Sequence, residues 1–414
     1  MIAKPANKQK ILNDPIYGFT SITNDLLFEL IEHPYFQRLR RISQLGLTYL
    51  VYPGAYHTRF HHAIGAMHLM QTAITSLQNK GHEITNDEKE AVLIAILLHD
   101  IGHGPFSHAL EHSIVDGVCH EDISFMIMNR LNEEFNGKLS LAIKIFKNKY
   151  HKPFLHQLIS SQIDIDRLDY LKRDSFFTGV SEGIINSERI ISMFNVHNGE
   201  LVIDSKAIYS IEKFIIARRL MYWQVYLHKT VLSAEYSLVE LLKRAKKLTK
   251  NGNNLFCSSA LKKFLNVDYR VEDFEKKPEI LDAFCELDDF DIITSIKEWV
   301  NHSDIILATL SERIIKRKLL KIQIQENKFD PDLIEEIKNK VSKKYKISLE
   351  ETKHLVFSKK INNKAYNLKK DKINLLFKGG ELIDVAQAAD HLNISVLANT
   401  VSKYFLCYPK DCLV

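Results

Sequence analysis

His99-Asp100-Ile101-Gly102-His103-Gly104-Pro105-Phe106-Ser107-His108 sets three histidines and one aspartate within ten residues, directly behind a segment, Ala91 to Leu98, that is apolar at every position. Thr85-Asn86-Asp87-Glu88 opens that segment as a capping box, so it reads as a helix. A helix apolar on all sides belongs in a protein interior, and its end delivers His99 and Asp100 to a buried floor. Gly102, Gly104 and Pro105 stop it there. Buried imidazole and carboxylate are costly unless paired or bound to metal. A lone His-Asp dipeptide means no more than a helix end, but the added histidines and the break point to a metal site.

Further ligands must come from other segments. Arg59-Phe60-His61-His62 lies on a helix predicted over 58–79, and Asp164-Ile165-Asp166 lies near the middle of one predicted over 156–174. Arg59 and His62 share a helical face, so a metal ligand and an anion-binding cation can be presented together. Adjacent residues cannot both face one site, so His61 also reads as a surface histidine, and His62 as a satisfied core one. Asp166, Tyr170 and Asp174 fall at i, i+4 and i+8 and form one stripe, with Arg167 to its side. Arg218, Tyr222, Tyr226 and Lys229 form a second stripe on a helix predicted over 207–250. Two cations and two rings suit phosphate oxygens beside a flat sugar or base, although spacing alone also admits a structural polar network.

The spacing predicts further helices over 25–33, 35–45, 121–134 and 304–322. Asn198-Gly199 centres a hairpin over 196–203, and 353–359 and 403–408 read as strands. The expected class is mostly α: a helical core with a small β-hairpin over residues 1–322, then a lysine-rich α+β tail over 323–414. Hydrophobic content of 45% and charged content of 26% are globular values. No run approaches the roughly 18 apolar residues of a membrane span. Met1 to Lys8 has no apolar core of a secretory signal, so the expected location is cytoplasmic. Five cysteines, none in a CxxC pair, argue against a disulfide framework and a thiolate zinc site. The net charge of +5 arises largely over 313–372, where lysines interleave with acids. That favours a solvated face over a nucleic-acid surface, and no membrane partner is expected.

His62, His99-Asp100 and Asp166, in this order, resemble the H…HD…D pattern of the HD superfamily. Asn13-Asp14-Pro15-Ile16-Tyr17-Gly18, Pro34-Tyr35-Phe36-Gln37-Arg38-Leu39-Arg40, Gln44-Leu45-Gly46, Tyr52-Pro53-Gly54-Ala55, His120-Glu121 and Asp164 to Tyr170 extend the likeness. Together they are similar to the deoxynucleotide triphosphohydrolase branch over about residues 8 to 322. The resemblance implies an HD-domain helical core and metal-dependent hydrolysis of deoxynucleoside triphosphates to deoxynucleoside and triphosphate. The alternatives are an HD phosphohydrolase for another nucleotide (ribonucleotide, monophosphate or cyclic) and a non-catalytic nucleotide or nucleic-acid binder.

The resemblance further implies that His62, His99, Asp100 and Asp166 hold one divalent ion, for which Mn, Fe, Mg, Zn, Ni and Co are all acceptable. His108 is the implied acid, with Glu111 one turn beyond to fix its tautomer; His103, His120 and Glu121 complete the catalytic set. Arg59, Arg218 and Lys229 would take phosphates, joined by Arg167 where the family carries a lysine; Tyr222 stands where it carries a histidine. Gln44, Leu45, Tyr170, Asp174 and Tyr226 would take the sugar, the last excluding a 2′-hydroxyl. Glu32, Gln37 and Arg40 match an activator site in which vertebrate members read a guanine nucleotide, with glutamate here for aspartate. A nucleotide effector and a homo-oligomer, dimer or tetramer, are the corresponding expectations.

Overall fold

Most of the helices begin at a residue that caps them. In the computed structural model, which describes residues 10–22, 24–107, 113, 115, 117–363, 366–367, 372–389 and 399–412, Asn24 accepts from the Leu26 and Leu27 N–H groups to start α1 (Asp25–Glu32). The Thr58 N–H donates to His61 Nδ1 at 3.1 Å at the start of α2 (Arg59–Asn79). His61 is thus a capping residue, facing away from His62. The predicted capping box opens α3 (Asn86–Leu98): Thr85 N–H to Glu88 at 2.8 Å, and Glu88 N–H to Thr85 at 3.2 Å. Val92 to Leu98 is buried throughout. As the all-apolar run requires, α3 is a central helix; α2 packs against it and against the helix that carries Asp166.

α4 (His120–Glu134) forms as expected. The helix predicted over 156–174 is instead two: a short one, Pro153–Gln157, and α5 (Ile165–Thr178). Asp164 causes the break, because its carboxylate accepts from the Ser161 and Arg167 N–H groups at 2.7 and 2.8 Å and makes it an N-cap. Asp166 therefore sits in a first turn rather than mid-helix. The helix predicted over 207–250 also divides, into α6 (Ile208–Met221) and α7 (Lys229–Lys250), at a π-turn over Tyr222–Tyr226. Leu227 N–H reaches back to the Tyr222 carbonyl at 2.7 Å, and His228 caps α7. Residues 35–45 give only Pro34–Gln37 and a 3₁₀ turn, and 304–322 ends as helix at Ile315.

The predicted hairpin is present as β3 (Phe194–His197) and β4 (Glu200–Asp204), following an N-terminal hairpin of β1 (Lys10–Asp14) and β2 (Gly18–Ile22). Asn198 and Gly199 both take positive φ, 52° and 82°, as a tight two-residue turn requires. Beyond the helices, β5 (Lys321–Gln325) and β6 (Phe357–Asn363) flank β9 (Val401–Tyr408), while β7 (Asn374–Leu376) and β8 (Leu382–Asp384) extend the β3–β4 sheet. The protein is mostly α with small β elements.

One buried side chain holds the loop after α3, and one glycine lets α2 and α5 approach closely. Buried Arg38 donates to the Ile101, His103 and Leu287 carbonyls at 2.7, 2.9 and 3.3 Å, satisfying backbone groups that the broken helix orphans. Gly65 lies against Arg173 and Asp169, where a Cβ would overlap both side chains. Gly65→Ala should cost about 1–3 kcal/mol by overpacking, read as a lowered urea midpoint. An unchanged midpoint would contradict this packing.

Candidate active site

His62 is delivered by the first turn of α2, His99 and Asp100 by the end of α3, and Asp166 by the first turn of α5. Their ligand atoms converge. His62 Nε2 lies 3.4 Å from His99 Nε2, 3.1 Å from Asp166 Oδ1 and 3.7 Å from Asp100 Oδ2. His99 Nε2 lies 3.5 Å from both Asp166 Oδ1 and Asp100 Oδ1.

The opposite edges of the two rings decide what this cluster needs. His62 Nδ1 faces Asp169 at 2.7 Å and His99 Nδ1 faces the Ile96 carbonyl at 2.7 Å. Both partners are acceptors, so each Nδ1 carries a proton, and it is the Nε2 edges, each facing two carboxylates, that can give up a proton and offer lone pairs to an incoming cation. Lone pairs and carboxylates converging in a buried space call for a cation, and a divalent metal fits this donor set. The same demand for positive charge governs the protonation of the ligands. Burial alone would lower His62, yet hydrogen bonds to Asp166 and Asp169 hold it up at about 10. Burial would raise Asp166, but the two imidazoles hold it far below the usual carboxylate range.

The support continues outward. Asp169, held down at about 2 against burial by Arg173 and His62, pairs with Arg173 through two bonds of 2.9 Å, and Arg173 reaches Asp14 at 2.9 Å. Arg59 shares the His62 face, pairs with Asp100 and donates to Ser107 Oγ at 2.8 Å. On the other side of Asp100, His103 Nε2 lies 3.3 Å from Oδ1 and stacks on His120 at 3.8 Å. Among the described residues, His62, His99 and Asp166 form one group with metal-ligand spacing, and Asp100 falls in a second, with His103 and His120. Burial, with Arg59 next, holds His103 well below its ordinary range, so it faces the cavity uncharged.

A cavity of about 380 Å³ opens from this centre. It is lined by the expected Gln44, Leu45, Arg59, Asp100, His103, His120, Asp166, Arg167, Tyr170, Asp174 and Tyr226. It is also lined by Gly46, Thr48, Phe106, Ser107 and Glu235, which spacing alone does not single out, and by Tyr222. Glu235 lies on α7, far along the chain, and burial alone pushes its carboxyl up to about 8. Only a perturbed acid in a cavity wall identifies it, and that signal exists only in three dimensions. Arg218 stands behind the wall, with its guanidinium 6.0 Å over the Tyr222 ring.

Lys229 does not join them. The chain turns extended at His228 and α7 begins there as a separate helix, so the three-residue spacing from Tyr226 to Lys229 no longer sets a shared face. Lys229 instead lines a second cavity with Trp223, His228 and Lys403. Glu121 is mostly exposed, its carboxylate 3.7 Å from His120 Nε2. Glu32, Gln37 and Arg40 lie outside the cavity, Arg40 donating to Gln37 at 2.8 Å and covering the Phe60 ring. His108 and Glu111 fall outside the described residues.

The HD domain family matches residues 59–174, and the HD associated region matches 185–253. A crystal structure of a phosphohydrolase from Bacteroides thetaiotaomicron superposes with a TM-score of 0.94 at 52% identity, over 97% of this chain and all of that one. YwfO of Bacillus subtilis, which has no assigned activity, is 36% identical over 76% of this chain and 71% of its own length. The deoxynucleoside triphosphate triphosphohydrolase SAMHD1 homolog of Dictyostelium discoideum is 32% identical over 66% of this chain and 56% of its own.

Asp166→Ala should abolish binding of Mn²⁺ in titration calorimetry, and Asp169→Asn should weaken it by about 10–100-fold by releasing the His62 ring. Wild-type affinity in both variants would show that the cluster is not a metal centre.

Proposed function

The chain belongs to the HD superfamily of phosphohydrolases, related to SAMHD1, and on that premise we propose that it hydrolyses deoxynucleoside triphosphates to deoxynucleoside and triphosphate. The observation that carries this reading is a single cavity lined by Asp100 and Asp166, two members of the His62–His99–Asp100–Asp166 cluster, together with Arg59 and Arg167 and with Tyr170, Asp174 and Tyr226. Those are, in turn, a place for a phosphorus atom under attack, cations for a polyanion and a polar aromatic wall for a sugar. A monophosphate would leave the cations without work.

His62, His99, Asp100 and Asp166 would hold the divalent ion, which when bound neutralises phosphate charge and lowers the pKa of a water. Arg59 is fixed at both ends of its guanidinium, so it meets phosphate oxygens without reorganising. Uncharged His103, stacked on His120, lies beside Asp100 where a bridging phosphate oxygen would pass. Arg167, paired with Asp164, adds charge on the α5 side, and Arg218 behind Tyr222 adds more. His108 would protonate the departing 5′-oxygen, with Glu111 fixing its tautomer and His120 and Glu121 as the second imidazole–carboxylate set. Gln44 and Leu45, which also line the cavity, would face the sugar, and Tyr226, 6.3 Å from Tyr170 between ring centres, would exclude a 2′-hydroxyl.

Incubation with Mn²⁺ and a panel of nucleotides tests this. Triphosphate and deoxynucleoside should appear together from each deoxynucleotide, Asp166→Ala should give neither, and Tyr226→Ala should raise relative ribonucleotide turnover about tenfold or more. Stepwise release of single phosphates by the wild type would refute the assignment.

A further inference from the structure

One residue outside the cavity lining touches its sugar-facing wall at two points. His57 is fully buried between α2 and the 42–44 segment, its ring stacked on Phe177 at 4.5 Å. Its main-chain carbonyl accepts from the Gln44 N–H at 3.0 Å. Its Nε2 lies 2.7 Å from Asp174 Oδ1, and the other carboxylate oxygen, Oδ2, accepts from the Tyr226 hydroxyl at 2.7 Å. A carboxylate only accepts, so Nε2 is the protonated nitrogen. Nδ1, on the far edge of the ring, has no hydrogen-bond partner among the described residues. The imidazole therefore has one directed bond, and it is spent on Asp174.

We propose that His57 is the positioning residue of the sugar subsite, holding the Asp174 carboxylate at one angle and, through it, keeping Tyr226 closed against a 2′-hydroxyl. The proposal rests on the deoxynucleotide reading above and goes further, because it locates sugar discrimination in a three-residue relay rather than in the bulk of one tyrosine. A tyrosine at the edge of a π-turn has a backbone less constrained than one inside an α-helix. Its ring makes edge contacts with Tyr170 and Tyr222, at 6.3 and 5.1 Å between centres, and its hydroxyl is tied only to Asp174 among the described hydrogen bonds. Asp174 without a donor on Oδ1 would be free to turn about its side-chain torsions, taking the tyrosine hydroxyl with it. The bond from the Gln44 N–H to the His57 carbonyl fixes a second lining residue of the cavity from the same histidine.

The test compares wild type, H57F, H57Q, Y226F and the H57F/Y226F double variant, all loaded with Mn²⁺, on paired deoxy- and ribonucleoside triphosphates. Phenylalanine keeps the ring on Phe177 but donates nothing; glutamine places an amide N–H near the imidazole Nε2. H57F should lower the ratio of deoxy to ribo kcat/KM about tenfold, chiefly through KM, while H57Q keeps it within about threefold of wild type. The double variant should lose no more discrimination than the worse single one, since both changes cut the same relay. A merely structural role would lower kcat on both sugars together and leave the ratio unmoved. An unchanged ratio in H57F, or additive losses in the double variant, overturns the proposal while leaving the deoxynucleotide reading intact. A wild type that turns over neither nucleotide, or both equally, removes that reading and this proposal with it.

Discussion

Two imidazole Nε2 atoms 3.4 Å apart, both turned toward the same carboxylates, form an arrangement that is unfavourable in a buried space unless positive charge, as a proton or a metal ion, sits among them. The surrounding structure keeps the four side chains from relaxing away from it. Asp169, Arg173 and Asp14 fix one ring, and the Ile96 carbonyl fixes the other. Arg38 holds the carbonyls of the irregular segment after α3, and Ser124 Oγ ties that segment to α4 by accepting from Gly102 N–H and donating to the His99 carbonyl. Glycine at 65 and 102 is a consequence: at both positions a Cβ would run into the groups that do the holding.

This division of labour explains why the centre was legible in one dimension and its surroundings less so. An all-apolar run ending in His-Asp-Ile-Gly-His announces a buried polar site because each level of description agrees on it. Asn198-Gly199 announces a turn for the same reason, since two left-handed residues in succession fit little else. Helical periodicity failed where a polar residue acted on the backbone instead of on a face. Asp164 falls near the middle of a predicted helix over 156–174, and its carboxylate is instead the cap that begins α5. The π-turn at Tyr222–Tyr226 and the helix break at His228 leave no mark in a pattern of three- and four-residue spacings, so the stripe held for Tyr222 and Tyr226, before the break, and was lost for Lys229, after it.

Residues that arrive from far along the chain were the least visible. Glu235 meets Gly46 across nearly two hundred positions, and no local pattern connects them. His57 sat in plain view two residues before Arg59, yet its importance comes from Asp174, more than a hundred residues away. The π-turn gains meaning in the same way: Tyr222 and Tyr226 line the first cavity while Trp223 and Leu227 line the second, so one irregular turn forms a wall of both.

The proposed function rests on water attacking the phosphorus nearest the sugar, at the end of the cavity beside His62, His99, Asp100 and Asp166. Hydrolysis of a deoxynucleoside triphosphate in heavy-oxygen water, with both products weighed by mass spectrometry, tests it directly. Attack at that phosphorus puts a single heavy oxygen in the triphosphate and none in the deoxynucleoside. Label in the deoxynucleoside, or in released orthophosphate or pyrophosphate, would contradict it.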